Sequence, residues 1–186
     1  GTADNFGDTL EPNRTGTAIA SPTRGVEAGG YGGTDSPSGA SPSKKIRFLN
    51  LQSQGNEEPF GELFSGAYGA GSCSNGVRAV FTGGGVATSP TYSESNVIQF
   101  VTIATKGNTE DFGDLTEAKL FVSATSNSVR GVVGGGFGDS PLNNATNKIE
   151  FFTISSTGNA ADFGDLTASI YSSDSFVSDS HGGLAQ

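Results

Sequence analysis

The chain has no methionine or tryptophan, one cysteine and one histidine among its 186 residues. A single cysteine, Cys73, rules out an intramolecular disulfide and a cysteine-built metal cluster. A single histidine, His181, would leave a Ser-His-Asp set dependent on three residues meeting by accident of fold. Basic residues are scarce too: 10 Lys and Arg stand against 19 Asp and Glu, a net charge of −9. Such a surface repels a phosphate backbone, so nucleic acid is not an expected partner. No run approaches roughly eighteen continuous apolar residues, so no membrane-inserted helix is expected. The first residues, Gly1-Thr2-Ala3-Asp4, lack the charged-then-apolar pattern of a signal segment. The missing methionine reads as a processed product or an excised piece. Gly134-Gly135-Gly136 is followed by Phe137-Gly138-Asp139 with no Lys-Ser and no helix, which excludes a phosphate cradle.

What is present is repetition. A Phe-Gly-acid triplet occurs at Phe6, Phe60, Phe112 and Phe163, in steps of 54, 52 and 51 residues. Eighteen residues after each Phe stands Arg24, Arg78, Arg130 or His181. Fourteen residues before each of the last three stands Ile46, Ile98 or Ile149. Those two distances are constant, so all length variation falls between the Arg strand and the Ile strand, which marks that interval as a variable loop. The chain therefore reads as one domain, 1–186, of three full modules of about fifty residues and a partial fourth.

Each module reads as four short strands. Ile98-Gln99-Phe100-Val101-Thr102-Ile103 and its counterpart from Ile149 are β-branched and aromatic with apolar residues on both faces, as buried strands are. Each leads into a Gly-Asn pair (Gly55-Asn56, Gly107-Asn108, Gly158-Asn159), read as a turn because both residues tolerate positive φ. The Phe-Gly-acid strand follows and completes a hairpin. The Arg strands end in Gly-rich runs. Small residues recur at Ala18, Ser72, Ala124 and Ser175, which places that strand in a crowded position near a symmetry axis. Helix should be nearly absent. Four strands with a variable loop after the second is the pattern of a propeller blade; a three-sheet prism is the alternative.

The Gly-Gly end of the second strand, the Ile-x-Phe third strand and the aromatic-led fourth strand resemble kelch repeats, with Phe where a typical unit has Trp. The strings from Asn96 to Thr116 and from Ser128 to Gly136 are similar to kelch-like repeats in tail-fibre and virion proteins of tailed phages, especially those of marine cyanobacteria. The resemblance spans essentially the whole chain. It implies an all-β, kelch-like propeller, either a small four-bladed ring or a partial propeller completed by another chain. It further implies an extracellular or virion-surface location, with other virion subunits or copies of itself as partners and a host-surface glycan as ligand.

For the recurring motifs a structural role competes with a chemical one. Asp111 with Asp114, and Asp162 with Asp165, could supply oxygens to calcium; in the structural reading Phe fills an inter-module space, Gly allows a bend and the acids cap turns. No other cofactor is expected. Arg24, Arg78 and Arg130 could face an acidic sugar, or could form a ladder with the acids Asp8, Glu62 and Asp114 or with strand-end carbonyls. A residue recurring in every module serves the module, so the ladder is the expected role. The loops 31–45, 86–97 and 137–148 vary while their supports do not, and binding residues concentrate on loops held by a rigid scaffold. Their aromatics Tyr31, Tyr92 and Phe137 are the ligand-binding candidates. The expected function is non-enzymatic attachment. A purely architectural filament or capsid-decoration role and a carbohydrate-active enzyme using paired carboxylates are the alternatives.

Overall fold

In the computed structural model the described residues are 1–32, 41–87, 93–138, 144–171 and 176. Every regular element among them is a β-strand. Module 1 is built from Thr17–Ala20, Arg24–Ala28, Lys45–Asn50 and Glu58–Glu62; module 2 from Gly71–Ser74, Arg78–Thr82, Val97–Thr102 and Glu110–Asp114; module 3 from Ser123–Ser126, Arg130–Gly134, Asn144–Thr153 and Ala161–Ile170. In each the four strands pair antiparallel in chain order, first to outer. The first hairpin turns on a short polar side chain that bonds its own backbone. Asn75 Oδ1 accepts from the amides of Val77 and Arg78, and Asn127 Oδ1 from those of Val129 and Arg130. Ser21 Oγ does the same for Thr23 and Arg24, as such side chains do in local turns.

Alternate residues of each strand face opposite neighbours, and two layers of core result. Val26, Ile46, Phe48 and Phe60 of module 1 pack against Ala79, Phe81, Val101 and Ile103 of module 2. Val80, Ile98, Phe100 and Phe112 of module 2 pack against Val133, Phe152 and Ile154 of module 3. A core thus lies between sheets and none lies within one, which is why strands only five or six residues long are apolar on both faces.

The first strands converge. Thr17 Oγ1 donates to Ser72 Oγ at 2.6 Å, and Ser126 Oγ to the Ser74 carbonyl at 2.7 Å. Small side chains are required there: a Cβ on Gly71 would lie 3.1 Å from the Ala124 Cβ. A cavity of about 270 Å³ runs along this line, bordered by Ala18, Ser72, Ala124 and Phe176. Ser175 and His181 lie outside the described residues.

Two sequence readings need correction. The third variable loop, read as 137–148, is in part strand: the third strand of module 3 begins at Asn144, because its early residues find free backbone partners in Gly138 and Ile170. The hairpin turns do not lie at the Gly-Asn pairs but four residues earlier, at Leu51 and Gln52, Ile103 and Ala104, and Ile154 and Ser155, and the pairs do not rely on positive φ at both positions. Only Gly158 of the three glycines has it, at 154°, and none of the asparagines does.

Candidate functional site

The Gly-Asn pairs serve instead as the joint between modules. Each is clasped by the Phe-Gly-acid segment of the preceding module. Gly107 N donates to the Phe60 carbonyl and Thr109 N to that of Glu62; Gly158 N donates to Phe112 and Ala160 N to Asp114; Gly55 N donates to Phe6 and Glu57 N to Asp8. The asparagine closes the joint from its side chain. Asn56, Asn108 and Asn159 accept through Oδ1 from the amides of Asp8, Glu62 and Asp114 at 2.9, 3.0 and 3.1 Å. The triplet glycine is fixed by this approach: a Cβ on Gly7, Gly61 or Gly113 would lie 2.1, 2.0 or 2.5 Å from the carbonyl oxygen of Gly55, Gly107 or Gly158.

The repeated arginines make a second inter-module contact. Arg24 lies over the Phe48 ring and Arg78 over that of Phe100. From there Arg24 Nη1 donates to the Ile103 and Ala104 carbonyls of module 2, and Arg78 Nη1 to the Ile154 carbonyl of module 3. The acceptors are strand-end carbonyls, and no described bond runs from these side chains to Asp8, Glu62 or Asp114. Arg130 lies over Phe151 at 4.6 Å. Among the described residues no group of three His, Cys, Asp or Glu is placed to hold a metal ion. Asp162 Oδ1 caps the Gly164 amide at 2.9 Å.

A third contact varies from joint to joint. The amide four residues past each triplet Phe needs an acceptor. Leu10 N finds Glu57 Oε2, Phe64 N finds Gln99 Oε1 and Thr109 Oγ1, and Thr116 N finds Glu150 Oε1. Two positions of the next module share the task, occupied by Arg47 with Glu57, Gln99 with Thr109, and Glu150 with Ala160. Where one residue cannot accept, the other does. Glu150 is fully buried and pairs with the equally buried Lys119 at 2.5 Å. Nearby, Lys148 pairs with Glu117 at 3.2 Å. Burial works against the charge of each, yet the Thr146 and Lys148 hydrogen bonds hold Glu117 below its usual range, and Glu117 raises Lys148 above its own. Burial, with help from Glu27, raises the Glu57 carboxyl against the opposing Leu10 amide.

At the joint of module 1 this polar contact opens into a cleft of about 480 Å³ bordered by Leu10, Glu11, Lys45, Arg47 and Phe60. Glu11 bridges Lys45 and Arg47. Arg47 is 2% exposed, and its Nε and Nη1 have no acceptor among the described residues. The cleft can therefore hold a ligand oxygen or a water.

The candidate ligand aromatics occupy the end of the array where the variable loops leave. Tyr31 sits in a two-residue ribbon with Arg14, and Phe137 in one with Leu120. Each meets a tyrosine eight residues past a triplet Phe: Tyr31 with Tyr68, ring centroids 4.4 Å apart, and Phe137 with Tyr171 at 4.6 Å. Tyr68 also meets Phe121 edge-on at 5.9 Å. Phe121 has φ 53°, a left-handed conformation that equivalent Thr15 and Gly69 share at 57° and 60°. The three are linked by bonds from Gly69 N to the Thr15 carbonyl and from Phe121 N to the Gly69 carbonyl. A sequence reading confined to loops misses Tyr68, Phe121 and Tyr171, although the fixed offset from each Phe was available to find the tyrosines. Tyr92 lies outside the described residues.

No family model and no curated protein matches the chain. Its fold is similar to that in a solved structure entitled "Structure of YjhT", with a TM-score of 0.68 at 10% identity, over 84% of this chain and 53% of that one. The chain thus spans about half the length of that protein, and at such identity the likeness speaks for the fold alone. Together with sheets packed face to face around converging first strands, it fits a β-propeller-like all-β fold.

Proposed function

We propose that the chain is a kelch-like propeller domain of a virion surface or tail fibre, extracellular in location, that attaches to a host-surface glycan without performing chemistry on it. The observation that carries this reading is the pairing of Tyr31 with Tyr68 and of Phe137 with Tyr171 at equivalent places on the loop-bearing end. Aromatic faces held in register by a rigid scaffold stack on the apolar faces of sugar rings, and Arg14, 5.7 Å over the Tyr31 ring, offers donors to sugar hydroxyls. Tyr171 is 55% exposed and open to a ligand. The phage resemblance of the repeat strings supports the setting. Glycan-array binding by the intact chain, compared with a variant carrying Tyr31→Ala, Tyr92→Ala and Phe137→Ala, tests it. Binding lost in the variant is the expected result; binding that survives all three changes rejects the loop-end site. Release of reducing ends from a surface polysaccharide would instead favour an enzyme.

A further inference from the structure

The outward faces of modules 1 and 3 carry the two halves of the joint that links the modules to one another. At the internal joints the triplet Phe is buried, Phe60 at 4% and Phe112 at 2%, whereas Phe163 is 54% exposed. A Cβ on Gly61 or Gly113 would lie within 2.5 Å of the Gly107 or Gly158 carbonyl oxygen, while one on Gly164 would meet nothing within 4 Å. Arg130 stacks on Phe151 as its counterparts do on Phe48 and Phe100, but no described carbonyl accepts from it. Module 1 shows the reciprocal vacancy. Ile103 and Ile154, whose carbonyls receive the arginines, are 2% and 0% exposed; the residue at their position in module 1, Leu51, is 42% exposed. Its amide bonds the Thr23 carbonyl just as those of Ile103 and Ile154 bond Val77 and Val129. The donor half thus lies on module 3 and the acceptor half on module 1.

We infer that these faces join head to tail between two copies of this chain, with Phe163-Gly164-Asp165 of one copy seated on the Gly55-Asn56 pair of the next and Arg130 donating to the Leu51 carbonyl. The occupant follows from identity of parts. The Gly55-Asn56 pair of module 1 is already clasped by Phe6-Gly7-Asp8, the same tripeptide, in a segment exposed from Gly1 to Leu10 with Phe6 41% exposed. An incoming copy offers that tripeptide with a whole apolar sheet behind it, Val132, Ile149 and Phe151 in the places of Val80, Ile98 and Phe100. The N-terminal segment is then a weak competitor for the site. The contact is heterologous, so it closes into a ring or extends as a filament. It rests on the joints and stands apart from the glycan reading.

Sedimentation equilibrium on the intact chain tests this with Leu51→Asp, which spoils the acceptor face, and Phe163→Asp, which spoils the donor face. Both side chains are exposed, so neither change disturbs the interior. Wild type should exceed 18.8 kDa as concentration rises, each variant alone should remain at that mass, and their equimolar mixture should form a capped dimer of twice that mass. Phe64→Asp, at a 63% exposed site elsewhere, should associate like wild type. Gly7→Val, which drives the competitor off the Gly55 carbonyl, should strengthen association. A wild type and Gly7→Val that both stay monomeric, a Leu51→Asp variant that dimerises alone, or a mixture that does not pair would overturn the inference.

Discussion

Arg78, stacked 4.5 Å from the Phe100 centroid in its own module, donates from Nη1 to the Ile154 carbonyl of the next module at 3.0 Å. One side chain thereby serves its own sheet by a cation–π contact and the neighbouring sheet by a charged hydrogen bond. Arg78→Ala should lower stability by about 1.5–3 kcal/mol, the range for a hydrogen bond to a charged group. Urea unfolding monitored by near-UV signal reads this. No change in midpoint would mean that the arginine contributes nothing to the joint.

Gly61 and Gly107 lie on opposite sides of one joint and should respond oppositely to the same substitution. Neither has a positive φ, so backbone strain does not enter. A methyl on Gly61 meets the Gly107 carbonyl oxygen at 2.0 Å, whereas one on Gly107 meets nothing within 4 Å. Gly61→Ala should cost about 1–3 kcal/mol as an overpacked contact, and Gly107→Ala less than about 0.5 kcal/mol. Thermal unfolding of the two variants side by side checks the difference.

The architecture was legible because it is written in backbone-directed residues. Fixed distances from Phe to Arg and from Ile to Phe report strands of fixed length, and the small residues at Ala18, Ser72 and Ala124 report the convergence of the first strands. The polar contacts were not legible. Gln99 and Glu150 sit in strands that read as apolar, and nothing local announces that an amide from the preceding module, Phe64 N or Thr116 N, waits for them. That need becomes visible only when two modules are stacked. The sequence points to a turn at the Gly-Asn pair, but the bend falls four residues earlier, and the asparagine instead works across the joint. Loop position singles out Tyr31 and Phe137 as candidates, whereas Tyr68, 7% exposed and packed on Tyr31, lies in a connection between modules that the loop criterion does not reach.

Lys119 and Glu150 are each 0% exposed and pair at the joint of modules 2 and 3. Lys119→Met should destabilise by about 3–5 kcal/mol, because it strands a buried carboxylate. Adding Glu150→Leu to Lys119→Met should recover much of that loss. Denaturant midpoints of the single and double variants decide, and a double variant worse than the single would contradict this account.

Cys73 is buried, and burial pushes its thiol up to about 12 against the lowering influence of the Ser126 hydrogen bond. The protonated form is thus favoured by folding. The stabilisation is complete below the unfolded value of about 8.5 and is lost as pH rises toward 12. Iodoacetamide at pH 8 should leave the native thiol unmodified and label it promptly in denaturant, as mass spectrometry would report.

Native-state hydrogen exchange at the clasped Gly-Asn pairs tests most directly whether the modules are held by one recurring joint. The amides of Gly107, Thr109, Gly158 and Ala160, each bonded to a triplet carbonyl of the preceding module, should exchange slowly and with similar protection, in a sample dilute enough to be monomeric. The Asp165 amide, which has no following Gly-Asn pair to clasp among the described residues, should exchange far faster than its counterparts at Glu62 and Asp114. Equal protection at Asp165 and Asp114, or free exchange at Thr109 and Ala160, would contradict the account.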